Sequence, residues 1–350
     1  MKIITVIGAR PQFIKAAPVS RALRKHFDEL IIHTGQHYDS NMSDIFFEEL
    51  NIPKPDYHLH VGSSSHGKQT GEMLTNIEEI LMKESPDYLL VYGDTNSTLA
   101  GALAAAKIHI PVVHIEAGLR SFNKKMPEEI NRIMTDHVSD YLFCPTETAV
   151  KNLKAENITK NVFNIGDVMY DAVLYNRNLA GNSKIIQNLG INSKDYILIT
   201  LHRAENTDDP NKMLAIIDAF KEIEKTKVWP IHPRTKNKLE QYGINLNEIP
   251  GLQVIDPVGY LDMLRLVMDA EKVMTDSGGV QKEAYFLNIP CVTLRDETEW
   301  VETVENGANL LVGSDAKKIV NAVYQPSNSS YPSVFGDGKA SEAITKILMK

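Results

Sequence analysis

The segment Met274-Thr-Asp-Ser-Gly-Gly-Val-Gln-Lys-Glu-Ala284 carries the strand–turn–helix pattern from which the fold can be predicted. A short apolar run leads into it, and an amphipathic helical pattern follows. Ser277, Gly278 and Gly279 fall at the predicted helix start, where backbone N–H groups lack intrahelical partners. The glycines allow a sharp turn and a close approach of ligand to backbone, and the helix dipole favours an anion. The segment therefore predicts either a phosphate or diphosphate site or a serine-capped helix that binds nothing.

Short apolar runs alternate with helix-length amphipathic segments along the chain, a pattern typical of parallel α/β sheets. The first half predicts strands near residues 2–7, 29–34, 88–92, 111–115, 140–144 and 162–165. The second half predicts strands near residues 196–201, 228–231, 253–256, 272–275, 290–294 and 309–312. Because 350 residues exceed the usual size of one domain, we predict two Rossmann-like doubly wound α/β domains, residues 1–167 and 168–337.

The composition is that of an ordinary soluble globular protein, with 43% hydrophobic and 23% charged residues. A formal net charge of −8 argues against a nucleic-acid or anionic-membrane partner. Cys144 and Cys291 lie in apolar segments, which predicts buried thiols rather than a disulfide framework or a zinc site. The opening run, residues 1–8, is too short for a signal peptide or membrane span, so we expect a cytoplasmic protein.

Polar residues of chemical interest follow predicted strands in both halves. Ligands of doubly wound sheets bind beyond the carboxyl ends of the strands, so this clustering predicts an active-site cleft between the domains. The residues in question are Arg10, Lys15, Gln36, His37, Asp94, Glu116, His202, Arg203, His232, Arg234 and Ser277.

Several of these residues are suited to binding an anion. Arg10 and Lys15 lie five residues apart around a helix start that Pro11 favours, although a solvated basic turn would give the same pattern. Arg234, which follows His232 and Pro233, is a similar case in the second half.

Four others could transfer protons. Asp94 and Glu116 follow apolar strands closely, Glu128 stands at a predicted helix start, and His202 ends an apolar strand. A histidine there could also be a satisfied core residue, and the helix dipole alone could explain an acid such as Glu129. Beside a diphosphate site, three carboxylates and a histidine suggest proton transfer coupled to loss of a phosphorylated leaving group.

Other chemistries lack their usual motifs in this chain. There is no Gly-x-Gly-x-x-Gly after a strand, no Walker A loop, no His-Glu-x-x-His and no Gly-x-Ser-x-Gly. Asp-x-Asp, the metal–diphosphate anchor of many sugar-nucleotide transferases, is also missing. We therefore expect a site for a sugar nucleotide that uses neither a cofactor nor a metal.

The motifs resemble those of the non-hydrolysing UDP-N-acetylglucosamine 2-epimerases along essentially the whole chain. The matching stretches are Gly8-Ala-Arg-Pro with Lys15, Gly-Gln-His at 35–37, Gly93-Asp-Thr, His114-x-Glu-Ala-Gly-Leu-Arg120, Pro127-Glu-Glu-x-Asn-Arg132, Pro145-Thr-Glu147, His202-Arg203, Asp276-Ser-Gly-Gly-x-Gln-x-Glu283 and Arg295-Asp296. The resemblance implies a glycosyltransferase-B arrangement of the two domains, a homodimer, and a last helix, residues 338–350, that packs back on the first domain.

The resemblance also implies a role for each matching position. Asp94, Glu116 and Glu128 would be acid/base groups, with His202 assisting near the phosphates. The substrate would be bound by Arg10, Lys15, Arg203, His232, Arg234, Val258, Met263, Ser277, Gly278, Gly279 and Glu283, with Ser277–Gly279 on the diphosphate, Glu283 on the ribose, and Val258 and Met263 on the uracil. Gln36 and His37 match a loop by which some bacterial relatives bind an activating UDP-sugar.

The reaction implied is interconversion of UDP-GlcNAc and UDP-ManNAc by elimination of UDP to 2-acetamidoglucal and re-addition. One departure concerns the substrate. Many relatives read Thr-Glu-Arg-Pro-Glu where this chain reads Thr298-Glu-Trp-Val-Glu302, so Trp300 replaces an arginine. This leaves open another UDP-sugar, such as UDP-2,3-diacetamido-2,3-dideoxyglucuronate. A hydrolysing epimerase and a glycosyltransferase on the same fold are further alternatives.

Overall fold

The structure is a computed structural model that describes residues 1–36, 49–50, 52–328 and 330–350. The predicted activator residue His37 lies outside the described residues. Two compact units make up the chain, one formed by Met1–Tyr175 with Ser333–Lys350 and the other by Asn176–Pro332. We refer to them as the N-terminal and the C-terminal unit.

Thirteen strands are present among the described residues. Those of the N-terminal unit are β1 (Lys2–Ile7), β2 (Asp28–His33), β3 (Tyr57–His58), β4 (Tyr88–Tyr92), β5 (Val112–Ile115), β6 (Tyr141–Cys144) and β7 (Val162–Asn164). Those of the C-terminal unit are β8 (Ile197–Thr200), β9 (Lys227–Pro230), β10 (Leu252–Ile255), β11 (Lys272–Thr275), β12 (Cys291–Thr293) and β13 (Asn309–Leu311).

Most α-helices of the described residues lie between these strands, and the last two follow β13. The first six are α1 (Arg10–Leu23), α2 (His66–Glu84), α3 (Asn96–Lys107), α4 (Pro127–Val138), α5 (Glu147–Ala155) and α6 (Val168–Ala180). They are followed by α7 (Ile185–Leu189), α8 (Ala204–Thr207), α9 (Pro210–Glu222), α10 (Pro233–Gln241), α11 (Tyr260–Asp269), α12 (Gly278–Phe286), α13 (Val301–Glu305), α14 (Ala316–Tyr324) and α15 (Ala340–Leu348).

Each unit contains one parallel sheet. The order is β3-β2-β1-β4-β5-β6-β7 in the N-terminal unit and β10-β9-β8-β11-β12-β13 in the C-terminal unit. In both sheets the order reverses at one point, between β1 and β4 and between β8 and β11, as in doubly wound nucleotide-binding folds. The predicted α/β class is confirmed.

The strands form because their sequences are almost continuously apolar, as expected when helices cover both faces of a sheet. Residues Ile3–Ile7 of β1 and Leu89–Tyr92 of β4 are completely or almost completely buried. Small residues let α3 pack closely on this sheet, since Ala100, Ala104 and Ala105 are buried there. A Cβ added to Gly101 would lie 3.2 Å from Cγ1 of Val91.

All twelve predicted strand ranges differ from the observed ones by one residue at most at each end. The sequence analysis missed β3, because a strand of two residues at the sheet edge leaves no periodic pattern to recognise.

The N-terminal unit extends to Tyr175, because the first half of α6 packs within it. There the Asp171 carboxylate accepts hydrogen bonds from the backbone N–H groups of Ala340 and Ser341, at 3.1 and 2.8 Å. These amides begin α15, which packs against α1. Residues 333–350 thus complete the N-terminal unit.

Candidate functional site

The loops after β1 and β4 meet at the reversal point of the N-terminal sheet, and buried Gln12 joins them. Its Oε1 accepts from the N–H groups of Gly8 and Ala9, at 2.8 and 3.1 Å. Its Nε2 donates to the carbonyl of Tyr92 at 2.9 Å and contacts Thr95 Oγ1 at 3.1 Å. One amide side chain therefore fixes the position of α1, and with it Arg10 and Lys15, relative to the end of β4.

Lys15 and Glu116 form a largely buried ion pair at this edge of the sheet. The side chains are 12% and 3% exposed, and Nζ of Lys15 contacts Oε2 of Glu116. Gly93, with φ +65°, makes room for them, because a Cβ there would lie 3.1 Å from Oε2 of Glu116. Glu116 itself has φ +69°, a left-handed conformation that is unfavourable for a residue with a side chain. Such strain is typical of residues held for function.

Asp94 is paired with a different cation. Nη2 of Arg132 lies 2.5 Å from Oδ2 of Asp94, whose side chain is 30% exposed. Arg132 Nη1 also contacts Oε2 of buried Glu129 at 3.0 Å. The two acids that follow β4 and β5 thus have separate cationic partners and different exposure to solvent.

Glu128 and Glu129 adjoin in the first turn of α4 but have different roles. Glu129 accepts hydrogen bonds from the backbone N–H groups of Ser121 and Phe122, both at 2.9 Å. Burial alone would raise the pKa of Glu129, but these bonds and Arg132 outweigh it and hold the pKa below its usual value. Glu128 is half-buried and makes no hydrogen bond or ion pair with the described residues. Glu129 therefore anchors a loop, whereas the carboxylate of Glu128 is not engaged by the described part of the chain.

A buried chain of charged groups lies beneath the loops that carry Asp94 and Glu116. His114 contacts the Gly93 carbonyl through Nε2 at 2.8 Å and Oδ1 of Asp136 through Nδ1 at 2.7 Å. Asp136 also accepts from Nη1 of Arg120 at 2.7 Å. Burial opposes ionisation of Asp136, but His114 and Arg120 outweigh it and keep its pKa below the ordinary value. Arg120 thus serves a structural ion pair rather than offering its charge to a ligand.

At the reversal point of the C-terminal sheet the joining residue is Asp276, which is fully buried. Its carboxylate accepts from the backbone N–H groups of His202, at 3.1 Å, and Arg203, at 2.9 Å. Nδ2 of Asn206 lies 3.3 Å from the same carboxylate. Asp276 thereby holds the loop after β8 beside the start of α12. The side chain of His202 is 46% exposed, so the core-histidine interpretation is wrong.

Helix α12 begins at the predicted Gly278. The Ser277 side chain precedes the helix without capping it, and its own N–H donates to Oγ1 of Thr275 at 2.9 Å. Neither Gly278 nor Gly279 has a left-handed backbone, so the glycine pair is not needed for a sharp turn. Space is the requirement at Gly278, because a Cβ there would lie 2.7 Å from Oε1 of Glu299 and 3.2 Å from Nε1 of Trp300.

Glu299, which lies beside this helix start, is contacted by two arginines. Nη1 of Arg295 lies 3.1 Å from Oε2 of Glu299, and Nη2 of Arg203 lies 4.0 Å from Oε1. Arg295 is buried, and its Nε and Nη2 make no hydrogen bond with the described residues. Trp300 is buried as well, and the ammonium group of Lys282 lies 4.0 Å from the centre of its ring. The start of α12 thus combines backbone donors, cationic side chains and one carboxylate.

The other predicted substrate-binding residues of the C-terminal unit lie on several different elements. His232 precedes α10 and accepts from the N–H of Arg234 at 3.2 Å, while Arg234 forms an exposed ion pair with Asp208 at 2.7 Å. Val258 and Met263 pack at the edge of the apolar cluster that also contains Val280 of α12. Glu283, on the second turn of α12, is 3% exposed.

Gln36 has a clear structural contact in the N-terminal unit. Its Oε1 accepts from the N–H and the hydroxyl of Ser97, at 3.0 and 2.7 Å, at the start of α3.

Among the described residues no group of three or more His, Cys, Asp or Glu side chains could hold a metal ion. None of the described helices is both long and apolar enough to cross a membrane.

Two of the residues that organise these sites had no role in the sequence-based prediction. Gln12 could have been noticed as an amide at the third position of a helix that follows a strand and a glycine. Asp276 could have been noticed as an acid between a fully apolar strand and Ser-Gly-Gly. His114 and Asp136 gave no such signal, because only the folded chain brings them together.

The two doubly wound parallel sheets, one edged with ion-paired carboxylates and the other with a glycine-rich helix start, define an α/β protein of the nucleotide-binding kind. The family model for UDP-N-acetylglucosamine 2-epimerase matches residues 21–349, and the chain belongs to that family of isomerases. The recognition made from the sequence motifs is confirmed.

Individual relatives cover the whole chain. A UDP-N-acetylglucosamine 2-epimerase homolog of Methanococcus maripaludis is 57% identical over 99% of this chain and 99% of its own length. The UDP-2,3-diacetamido-2,3-dideoxy-D-glucuronate 2-epimerase of Pseudomonas aeruginosa is 52% identical over 100% of both chains. The crystal structure of Methanocaldococcus jannaschii UDP-GlcNAc 2-epimerase in complex with UDP-GlcNAc and UDP is 48% identical, covers 100% of this chain and 99% of that chain, and has a TM-score of 0.94.

Proposed function

We propose that this protein interconverts UDP-GlcNAc and UDP-ManNAc as a non-hydrolysing 2-epimerase. The observation that carries the proposal is the pair of acids at the ends of β4 and β5. Asp94 is 30% exposed and paired with Arg132, whereas Glu116 is 3% exposed and paired with Lys15. Two carboxylates in different surroundings suit a reaction in which one group removes a proton and another returns one.

The chemistry explains why both acids and an anion site are needed. The C2 proton of the sugar is not adjacent to a carbonyl group, so its direct removal would be too slow. Departure of UDP from C1 builds positive charge there and makes the C2–H bond acidic. The C1–O bond breaks, the C2 proton passes to a base, and 2-acetamidoglucal and UDP remain bound. Re-addition of UDP at C1 with protonation of C2 on the other face completes the inversion.

In this proposal the N-terminal unit supplies proton transfer. Asp94, Glu116 and Glu128 are the acid/base groups, and Lys15 and Arg132 stabilise the charges of the first two. Glu128 fits because its carboxylate is committed to no partner in the described chain. Arg10, at the first turn of α1, is proposed to contact the substrate beside Lys15.

The C-terminal unit is proposed to bind UDP as leaving group and to return it. The side chain of Ser277 and the backbone N–H groups of Gly278 and Gly279 bind the diphosphate at the start of α12, assisted by His202 and Arg203. We propose that Glu283 holds the ribose, that Val258 and Met263 contact the uracil, and that His232 and Arg234 bind the substrate more peripherally. Stabilisation of departing negative charge is what elimination requires of this unit.

A second substrate has support from two observations. Trp300 stands where many relatives have an arginine, and its indole lies against Gly278 at the proposed diphosphate site. The 52% identical Pseudomonas aeruginosa protein is named for a diacetamido-glucuronate. UDP-2,3-diacetamido-2,3-dideoxyglucuronate is therefore the alternative substrate for the same reaction.

Proton NMR in deuterated buffer tests the proposal directly. The protein is incubated with UDP-GlcNAc, UDP-ManNAc, UDP-2,3-diacetamido-2,3-dideoxyglucuronate, a 3-acetamido UDP-sugar and a UDP-uronic acid, each without any acceptor. The expected result is deuterium at C2 and appearance of the C2 epimer from UDP-GlcNAc. Exchange only with the diacetamido uronate would replace the first substrate by the second.

The same spectra separate the remaining reactions. Free N-acetylmannosamine together with UDP would identify a hydrolysing enzyme. A lack of exchange without an acceptor, followed by turnover when one is added, would identify a glycosyltransferase. Either outcome would refute non-hydrolysing epimerisation.

A further inference from the structure

The buried imidazole of His114 connects the two loops that carry the candidate acids. His114 lies on β5 and is completely buried. Its Nε2 contacts the carbonyl oxygen of Gly93, and its Nδ1 contacts a carboxylate oxygen of Asp136. Each contact is short, at 2.8 and 2.7 Å respectively.

Both partners of the ring are acceptors. A carbonyl oxygen cannot donate, and both oxygens of Asp136 already accept from other donors, the N–H of Gly118 and Nη1 of Arg120, as an ionised carboxylate does. A neutral imidazole has one N–H and one acceptor nitrogen, so it can satisfy only one of these two groups. Only the imidazolium donates to both.

Other charges around the ring are consistent with a buried cation. Asp136 contacts both His114 and Arg120. Arg120 also forms a bidentate ion pair with Glu156, at 2.7 and 2.8 Å. Cys144 of β6 lies on the same side, where burial, reinforced by Asp136, raises the pKa of its thiol and keeps it neutral. Glu156 thus competes with Asp136 for Arg120 but makes no contact with the His114 ring in the described chain, which leaves His114 as the partner that Asp136 does not share with Glu156.

Each hydrogen bond of the ring acts on one loop. The Gly93 carbonyl belongs to the peptide unit that leads into Asp94, so the bond to Nε2 fixes the orientation of that peptide. Asp136 also accepts from the N–H of Gly118, at 3.1 Å, and thereby closes the turn that follows Glu116. Glu116 needs such support, because its left-handed backbone is strained.

We propose that His114 is a positioning residue which, as an imidazolium, holds the loops of Asp94 and Glu116 in register with each other. Its connection to acid/base catalysis rests on the proposed function. The ring touches neither carboxylate and acts through the Gly93 peptide on one side and through Asp136 and Gly118 on the other.

The protonation state is tested on the wild-type protein with nitrogen-15-labelled histidine. The expected NMR spectrum shows protons on both ring nitrogens of His114 at neutral pH, assigned by their loss in His114→Gln. A neutral ring, with one bare nitrogen, would overturn the proposal. Asp136→Asn should remove one ring proton, because the amide cannot accept from His114, Arg120 and Gly118 without turning an NH₂ group towards one of them.

Positioning is tested in His114→Gln, with the same change at exposed His26 as matched control. Glutamine can donate to Gly93 or interact with Asp136, but it cannot donate to both. Amide hydrogen exchange should become faster at Asp94 and Gly118 than in His26→Gln, while exchange in the C-terminal unit stays unchanged. Unaltered exchange at both amides would overturn the positioning role, whatever the enzyme turns over.

Kinetics give the last measurement. Loss of register should lower kcat on the order of 10²-fold and leave KM within about threefold, since binding groups are unaffected. Unchanged kcat in a folded His114→Gln protein would overturn the proposal. If the wild-type protein exchanges no C2 proton of any UDP-sugar, the proposed function fails, whereas the NMR and hydrogen-exchange results on His114 still decide the structural inference.

Discussion

At the reversal point of the N-terminal sheet the carboxylates face cations, whereas at the corresponding point of the C-terminal sheet the carboxylate faces backbone amides. Asp94 follows β4 and is paired with Arg132, while Asp276 follows β11 and accepts from the N–H groups of His202 and Arg203. The strands occupy equivalent places in the two sheet orders.

Carboxylates at equivalent points of the two sheets can therefore serve different purposes. A partly exposed carboxylate that is paired with a side-chain cation can exchange a proton with a ligand. A carboxylate that is completely buried and occupied by backbone donors serves to fix a loop. The N-terminal edge is therefore the one proposed to transfer protons, whereas Asp276 at the C-terminal edge fixes the loop beside the start of α12.

The largest effect is expected from Glu116→Gln, which removes a proposed proton-transfer group while preserving its shape. Exchange of the C2 proton should fall about 10²–10⁴-fold. UDP affinity, measured by calorimetry, should stay within about threefold, since UDP is assigned to the other unit. The change Glu79→Gln on the exposed face of α2 is the matched control. If Glu116→Gln retains exchange of the C2 proton, Glu116 is not a proton-transfer group. The proposed difference between the two sheet edges would then fail at this residue.

Gly278→Ala should have the next largest effect, and on binding rather than on proton transfer. The new Cβ would meet Oε1 of Glu299 at 2.7 Å, so the start of α12 or the Glu299 side chain must shift. We expect UDP to bind about tenfold to 10²-fold more weakly by calorimetry, the equivalent of one or two lost hydrogen bonds.

Gly71→Ala on α2 is the control, because nothing lies within 4 Å of its added Cβ. It should stabilise the helix by up to about 1 kcal/mol and leave UDP affinity unchanged. Equal UDP affinity in Gly278→Ala and wild type would exclude the start of α12 as the diphosphate site.

Asp276→Asn sharpens the comparison between the two acids. The amide can accept only some of the hydrogen bonds that the carboxylate receives, so we expect a loss of about 1–3 kcal/mol in unfolding free energy. Trp229 and Trp300 are the only tryptophans and both lie in the C-terminal unit, so their fluorescence reports this loss. Asp94→Asn should leave that fluorescence transition in place while lowering C2 exchange. The same pattern in both variants would show that the two acids do not differ in role.

The smallest effect concerns acid stability of the N-terminal unit. Burial, followed by the nearby His58, lowers the pKa of His33 from 6.5 to about 4. Folded His33 is therefore neutral between these values while the unfolded chain binds a proton, so stability decreases as pH falls from 6.5 to 4. His33→Phe, which keeps a ring beside Phe13, should flatten this slope in unfolding followed by circular dichroism.

Tryptophan fluorescence supplies the internal reference for that experiment. The His33→Phe change should not alter the pH dependence of the fluorescence transition, because both tryptophans lie in the other unit. A parallel shift of both signals would mean that the units unfold as one.

The sequence predicted the strands well because fully apolar runs between polar loops have few alternative explanations. It predicted the start of α12 from Ser277 and the glycines, but misjudged why Gly278 is needed, since the neighbours Glu299 and Trp300 are more than twenty residues away in the chain. The predicted boundary at residue 167 falls just before α6, a continuous helix whose first half packs in the N-terminal unit, and no local pattern marks where its packing changes.

For the site residues, too, local patterns could be predicted from the sequence and long-range contacts could not. Asp94 and Glu116 were recognisable because polar residues directly after apolar strands are unusual. Their partners Arg132 and Lys15 could be recognised as charged residues, but their pairing depends on how the helices pack against the sheet. His114 and Asp136 could not be linked, because 22 residues separate them and no local pattern pairs a strand residue with a residue of the following helix.

The return of residues 333–350 to the N-terminal unit has a consequence for how the protein is made. During translation, the face of α1 that packs on α15 stays uncovered until more than 300 further residues, through α15, have been synthesised. A stop codon ahead of α15 would therefore damage the N-terminal unit, where the proposed acid/base groups lie.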